Sequence, residues 1–308
     1  MMYNLDHVKN KTTFRKEVNK MKKIISLILA AALLCCSALA LTSCDLFGSK
    51  EENEKIYVQT NAYFAPFEYY EGSKIVGVDV EIMELVGKKL GKEIVWQDGE
   101  FGIIIDTVSA GTLADCGAAG LTITPERAEK VEFSTPYYTS IQYVIVEKTS
   151  DIATKTENGV TYVVWEALAG KTVATQTDTT GWIYADCEID TEGGVLYGTE
   201  GTEHKAMDSA QIAAEGLGKT IDAVIVDELP AKYITSNNSD YVCYPLYYSG
   251  ADGEADAPVE EQYAICVTKG DTELLEAINA VLADLLKKDA NGKTEIEKMV
   301  MTHMGMEG

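Results

Sequence analysis

The sequence predicts an α/β protein of two lobes, each a mainly parallel sheet flanked by helices. Short apolar runs with strand alternation take turns with segments of helical period, the β-α-β-α order of a parallel sheet covered by helices. That order occurs before residue 140, and a second such unit follows between residues 171 and 226. Of 308 residues, about 250 remain once the N-terminal leader is set aside, which is enough for two cores.

In chain order, the first 44 residues read as a targeting segment. A basic stretch (Lys9, Lys11, Arg15, Lys16, Lys20, Lys22, Lys23) precedes an uncharged apolar run from Ile24 to Leu41. Met21-Lys22-Lys23 is a complete signal start by itself. A permanent transmembrane helix is the other reading of the run, which sits at the short end of the roughly 17 to 25 residues that span a bilayer. Residues 44–54 are polar and charged, a tether. Ile56 to Thr60 alternates as a strand, Ile82, Leu85, Val86 and Leu90 recur at helical spacing, and Gly91 stops that helix. Another strand follows near Ile94 to Trp96, then a helical pattern from Phe101 through Val108, then a strand at Cys116. Lys171 to Thr175 and Ala223 to Val226 are short apolar strands joined by a helical stretch around Ala206 to Leu217. Asp151 to Leu168 and Glu188 to Lys205 are acidic or polar and rich in Thr and Gly, and read as surface loops.

The run Gly120-Leu121-Thr122-Ile123-Thr124-Pro125-Glu126-Arg127 is the most informative. Pro125, with its locked φ and missing N–H, suits the first turn of a helix, so uncapped N–H groups point outward there. A helix N-terminus attracts anions, and an arginine grips both oxygens of a carboxylate in a bidentate fork. The bland alternative is a strand-turn-helix with one solvated arginine.

With Phe133-Ser134-Thr135-Pro136-Tyr137-Tyr138 close behind, this run resembles the signature of the extracellular solute-binding proteins of amino-acid ABC transporters, the family 3, type II periplasmic-binding-protein-like fold. Further matching blocks come in family order: Thr60 to Tyr69, Gly77-Val78-Asp79-Val80, Gln176 to Gly181, and Asp222 to Asp227. The resemblance implies two hinge crossings, placed near Tyr138 to Tyr143 and Glu260 to Ala264. One lobe is then residues 55–140 plus 263–308, and the other residues 141–262. It also identifies Leu41-Thr42-Ser43-Cys44 as similar to a bacterial lipobox: residues 1–43 are cleaved and Cys44 carries lipid, anchoring the chain on the outer face of the cytoplasmic membrane.

By resemblance, Arg127 pairs with a ligand α-carboxylate, with help from the Gly120 backbone and the Thr122 N–H or hydroxyl. Thr179 and Thr180 match the second-lobe turn that donates to the same carboxylate, although Asp178 stands where the family has glycine. Read alone, that segment is an ordinary polar turn. Asp227 corresponds to the acceptor for the α-ammonium; a carboxylate closing an apolar strand is also a common helix N-cap. Phe64 and Phe101 match the aromatic pair around the ligand side chain, and both also suit a plain core. Asn61 holds a position often taken by aspartate. A neutral amide there argues against a strict lysine or arginine binder. Tyr63, Glu68 and Gln176 are further contributors.

The implied partners are a small amino-acid ligand, an ABC permease and the membrane through Cys44, the chain itself being a monomer. Losing residues 1–44 removes seven of 26 basic and two of 49 acidic residues, leaving a formal charge of −28. Such a surface excludes nucleic acid, and it also serves simply to keep an exported chain soluble. No cofactor or metal is implied. Cys116 and Cys266 lie in apolar strands, and Cys187 with Cys243 form a candidate disulfide. Two other functions stay open: an enzyme on the same fold, since the family includes cyclohexadienyl dehydratases and Glu68 offers a general acid, and a surface sensor or adhesin module. The chain has no H-E-x-x-H, G-x-S-x-G or C-x-x-C motif.

Overall fold

The computed structural model describes residues 54–251 and 254–306. The leader, the lipobox and all of the tether but Glu54 lie outside the described residues.

Strand β1 (Lys55–Thr60) buries Ile56 and Val58, as its alternation requires. A small antiparallel sheet follows from β2 (Tyr63–Phe64), β3 (Glu68–Glu71) and β4 (Lys74–Val76). Helix α1 (Val78–Leu90) starts directly after Gly77, where φ is 137° and a Cβ would stand 2.0 Å from the Phe67 carbonyl oxygen, so only glycine fits. It ends at Gly91 in the left-handed conformation, whose N–H returns to the Gly87 carbonyl. Strand β5 (Glu93–Asp98) pairs parallel with β1, a 3-10 turn at Phe101–Ile103 runs into α2 (Ile104–Ala110), and β6 (Cys116–Gly117) pairs parallel on the other side of β1. Helix α3 (Pro125–Ala128) and β7 (Glu132–Phe133) complete this stretch.

The long strand β8 (Tyr138–Glu147) enters the second sheet. It is followed by β9 (Lys155–Glu157), β10 (Val160–Val164), β11 (Thr172–Gln176), α4 (Thr180–Ala185) with a π-helical turn at Asp186–Asp190, and β12 (Glu203–Met207). Then come α5 (Ala210–Glu215), β13 (Ala223–Asp227), α6 (Glu228–Asn237) and β14 (Tyr241–Tyr247). The sheet order is β12-β11-β13-β8-β14-β10-β9. Strand β15 (Glu260–Tyr263) lies antiparallel to the first half of β8, with Glu260 opposite Ile141 and Tyr263 opposite Tyr138. The two segments expected as crossings therefore run side by side. Strand β16 (Cys266–Val267) then sits between β6 and β7, giving the first sheet the order β5-β1-β6-β16-β7, and α7 (Thr272–Leu285) and α8 (Glu295–His303) follow. Parallel pairs join β5, β1 and β6 in one sheet, and β12, β11 and β13 as well as β10 and β14 in the other; antiparallel pairs arise where β8 and β16 insert and in the β9–β10 hairpin.

Ile82, Met83 and Val86 of α1 pack with Leu274, Ile278 and Leu282 of α7 in one core. A second core gathers Trp165, Val163, Val173, Ile225 and Leu246. It corrects the loop reading of Asp151 to Leu168, since that segment carries β9 and β10 and buries Tyr162, Val163, Trp165 and Leu168. Glu188 to Lys205 is also more ordered than expected, with Ile189 and Leu196 buried and His204 on β12. Cys187 and Cys243 are free thiols, so that candidate disulfide is not formed.

Candidate functional site

The ends of β6, β11 and β13 and the loop after β1 converge on one cleft. It is lined by Asn61, Phe64, Phe101, Gly120, Thr122, Arg127, Gln176, Thr179, Thr180 and Asp227. The space is narrow, with room for roughly one water molecule.

On one side, Gly120 adopts φ 53°, and a Cβ would lie 2.6 Å from Phe64 Cε1. Its N–H donates to Asp79 Oδ2 at 3.0 Å, and Tyr137 donates its hydroxyl to Asp79 Oδ1 at 2.5 Å. The Gly120 N–H is thus committed inside the chain, contrary to its expected role on a ligand. The α3 N-terminus differs too: Thr124 caps it, its hydroxyl accepting from the Arg127 N–H at 3.2 Å. Arg127 folds back so that Nη1 donates to the Thr122 carbonyl at 2.8 Å and Nη2 to the Asp178 carbonyl at 3.1 Å, with the guanidinium 5.3 Å from the Phe101 ring centre. Burial lowers its pKa, and the carboxylates of Glu261, Asp227 and Asp178 oppose that.

On the other side, β11 ends at Gln176 and the chain turns through Asp178 at φ 62°, a conformation aspartate tolerates better than most residues. The Asp178 carboxylate points to Gly102, where a Cβ would stand 2.0 Å from Oδ2. Thr179 is the N-cap of α4: its hydroxyl accepts from the Trp182 N–H at 3.3 Å and donates to the Gln176 carbonyl at 2.7 Å. Thr180 donates to Glu261 at 2.6 Å and Thr122 donates to the same oxygen at 2.7 Å. None of these three hydroxyls keeps a proton for a ligand carboxylate, so that part of the expectation is corrected; backbone N–H groups in the first turn of α4, which have no intrahelical acceptor, remain for it. Asp227 precedes α6 without capping it through its side chain. Its Oδ1 instead accepts from Gln142 Nε2 at 3.2 Å, and burial first, then the Glu261 carboxylate, push its pKa up to about 8.

The far end of the cleft is amide-lined. Gln176 Nε2 donates to Asn61 Oδ1 at 2.9 Å, and Asn61 Nδ2 donates to the Gly99 carbonyl at 2.8 Å. Phe64 is buried and packs on Phe67 and Tyr263; Phe101 is half-buried under Arg127. Tyr63 faces outward, 49 % exposed. Sequence reasoning missed Glu261 and Gln142, both buried on the crossing strands.

Glu68 is not among the residues that line the cleft; it is fully buried, and none of the described residues places an N–H or O–H on its oxygens. Burial and the adjoining Asp79 carboxylate hold its pKa well above the usual range, and burial raises Asp79 to about 6. Protonated, Glu68 can itself donate to Asp79. Both pKa values are raised in the folded chain, so this contribution to stability is complete below about pH 4 and is lost as pH rises through about 6 for Asp79 and higher for Glu68. Glu68→Gln keeps a donor for Asp79 without needing a proton, and calorimetry should find the fall in Tm between about pH 5 and pH 8 flattened in that variant. An unchanged slope would contradict this account of the pair.

His204 stands between Asp190 (Nδ1 to Oδ2, 3.0 Å) and Thr175 (Nε2 to Oγ1, 2.8 Å). Thr175 is fully buried, so this chain of three is structural. Among the described residues, no cluster of three His, Cys, Asp or Glu is placed to hold a metal ion, and no helix is long and apolar enough to cross a membrane.

Residues 56–296 match the model of the bacterial extracellular solute-binding proteins, family 3. The chain is 31 % identical over 281 residues to the arginine-binding extracellular protein ArtP of Bacillus subtilis (strain 168), covering 91 % of this chain and 96 % of that one. Its fold is similar to an amino acid ABC transporter substrate-binding protein, AbpA, from Streptococcus pneumoniae bound to L-arginine, with TM-score 0.66, 27 % identity, and coverage of 82 % of this chain and 94 % of the other. It is also similar to an ancestral arginine-binding protein bound to glutamine, with TM-score 0.64, 29 % identity, and coverage of 82 % and 98 %. The two-lobed fold and the match over most of the chain place this protein in the bacterial extracellular solute-binding proteins, family 3.

Proposed function

We propose that this chain is the binding component of an ABC importer, capturing an L-amino acid between its lobes and passing it to a membrane permease. The observation that carries this reading is one cleft with a guanidinium at Arg127, a buried carboxylate at Asp227 and two aromatic rings, Phe64 and Phe101. Such a cleft suits a zwitterion: the carboxylate takes Arg127 and backbone N–H groups, and the ammonium takes Asp227. The lobes are residues 55–140 with 263–308, and residues 141–262, joined by β8 and β15. Ligand favours closure because it touches both lobes at once in the closed form.

The chain is read as non-catalytic. Glu68, the acid suggested for a dehydratase, is sealed from the cleft, and His204 serves a buried threonine. Lipid on Cys44 holds the protein at the outer face of the cytoplasmic membrane, where it acts as a monomer.

The test is a thermal-shift panel of the standard L-amino acids with their amides as controls. Relatives named for arginine put L-arginine first in the panel, and the Asn61–Gln176 amide pair puts L-glutamine second. A ligand at a hundred times its Kd is expected to stabilise the chain by about 2.7 kcal/mol, and its amide not at all. A flat panel would overturn the amino-acid reading.

A further inference from the structure

Glu261 is an acidic side chain bonded to residues on both sides of the cleft. It lies on the crossing strand β15, 2 % exposed. Its Oε2 accepts from Thr122 Oγ1 at 2.7 Å and from Thr180 Oγ1 at 2.6 Å, and its Oε1 from Gln142 Nε2 at 2.8 Å. The same Gln142 amide reaches Asp227 Oδ1 at 3.2 Å. Thr122 and Thr180 line the cleft beside Arg127 and Asp227.

A carboxylate only accepts, whereas a hydroxyl has a single proton to give. Both threonine protons therefore point at Glu261, and what each hydroxyl offers the cleft is a lone pair, the other on Thr180 facing Gln142 Nε2 at 3.5 Å. With Asp227, that makes three acceptors around one end of the cleft, an arrangement that matches three N–H donors of an ammonium and repels a carboxylate. We propose that Glu261 is a positioning residue that fixes Thr122 and Thr180 as acceptors and thereby reserves that end of the cleft for a ligand with a free α-ammonium. The inference rests on the amino-acid reading above and adds to it the means by which amino acids are told from plain carboxylic acids of the same side chain. Glu261 also lines a second space, of about 480 Å³, together with Ile183 and Tyr184 among others, so it stands as a wall between that space and the cleft.

The experiment compares matched pairs by calorimetry: L-arginine with 5-guanidinopentanoate, and L-glutamine with 4-carbamoylbutanoate, each analogue lacking only the ammonium. Glu261→Ala is expected to lower affinity for the amino acid by roughly ten- to a hundred-fold, the worth of charge-assisted hydrogen bonds, while affinity for the deaminated analogue stays within about three-fold. Alanine at that position also opens the wall, so Thr180→Val, which keeps the volume and removes one acceptor, is the second variant. It should show the same selective loss. Equal loss for both members of a pair in both variants would make Glu261 merely structural and overturn the proposal, with the amino-acid reading intact. A wild-type chain that takes up neither amino acid would overturn the ligand assignment and this role together.

Discussion

Replacing Arg127 with alanine is expected to weaken amino-acid binding by roughly 2 to 5 kcal/mol, about 1.5 to 3.5 decades in Kd, with little change in the melting temperature of the unliganded chain. The magnitude follows from desolvation. A ligand carboxylate enclosed between the lobes has lost its water, and without the guanidinium it is left as a buried charge with only backbone N–H groups to face. The present contacts of Arg127 are to two carbonyls, Thr122 and Asp178, and to the Phe101 ring, and they use one proton on each terminal nitrogen. The remaining donors of the planar fork stay available for a bidentate partner. Arg127→Lys is expected to recover little of the loss, because an ammonium cannot reach both carboxylate oxygens in that geometry. Calorimetric titration decides the matter: Kd values for both variants within three-fold of wild type would remove Arg127 from the site.

What could be read from the sequence is uneven, for physical reasons. Arg127 could be singled out from the residues themselves, because Pro125 just before it marks a helix start, whereas Asp227, Phe64 and Asn61 were singled out only through the family resemblance. The direction of a hydroxyl proton has no such mark. Thr122, Thr179 and Thr180 line the cleft, but their hydroxyl protons serve Glu261 and Gln176. Glu261 lay in the segment read only as a crossing, Glu260 to Ala264, where no side chain was given a role. The alternation of Glu260-Glu261-Gln262-Tyr263, with Tyr263 apolar and buried, puts Glu261 on the inward face, so a signal was present in the period of two. The segment from Asp151 to Leu168 misled by composition. Its Asn158-Gly159 pair, with φ 51° and 82°, makes the hairpin turn between β9 and β10 and marks the apolar run Val160 to Val164 as a strand.

Asp227 should give the other large effect, and the pH dependence separates its role from that of a structural acid. In the unliganded chain its pKa stands near 8, raised by burial and then by the Glu261 carboxylate. A raised carboxyl stabilises the folded chain below the unfolded value of about 4, and that contribution is lost as pH rises through about 8. Ligand binding runs the other way, because an ammonium needs the ionised form and binding therefore releases the proton held by Asp227. Affinity is expected to rise by roughly ten- to a hundred-fold between pH 6 and pH 8, the gain in ionised fraction for a carboxyl raised to about 8. The Tm of the free chain falls over the same interval while the ligand-induced shift grows. Asp227→Asn should abolish the slope and, at pH 8, cost about 1.5 to 3.5 decades in affinity, since a neutral amide cannot balance a buried ammonium. Wild-type affinity that is flat from pH 6 to pH 8 would mean that Asp227 keeps its proton when ligand is bound, and the ammonium would then have to be held by the Thr122 and Thr180 hydroxyls and the Glu261 carboxylate behind them.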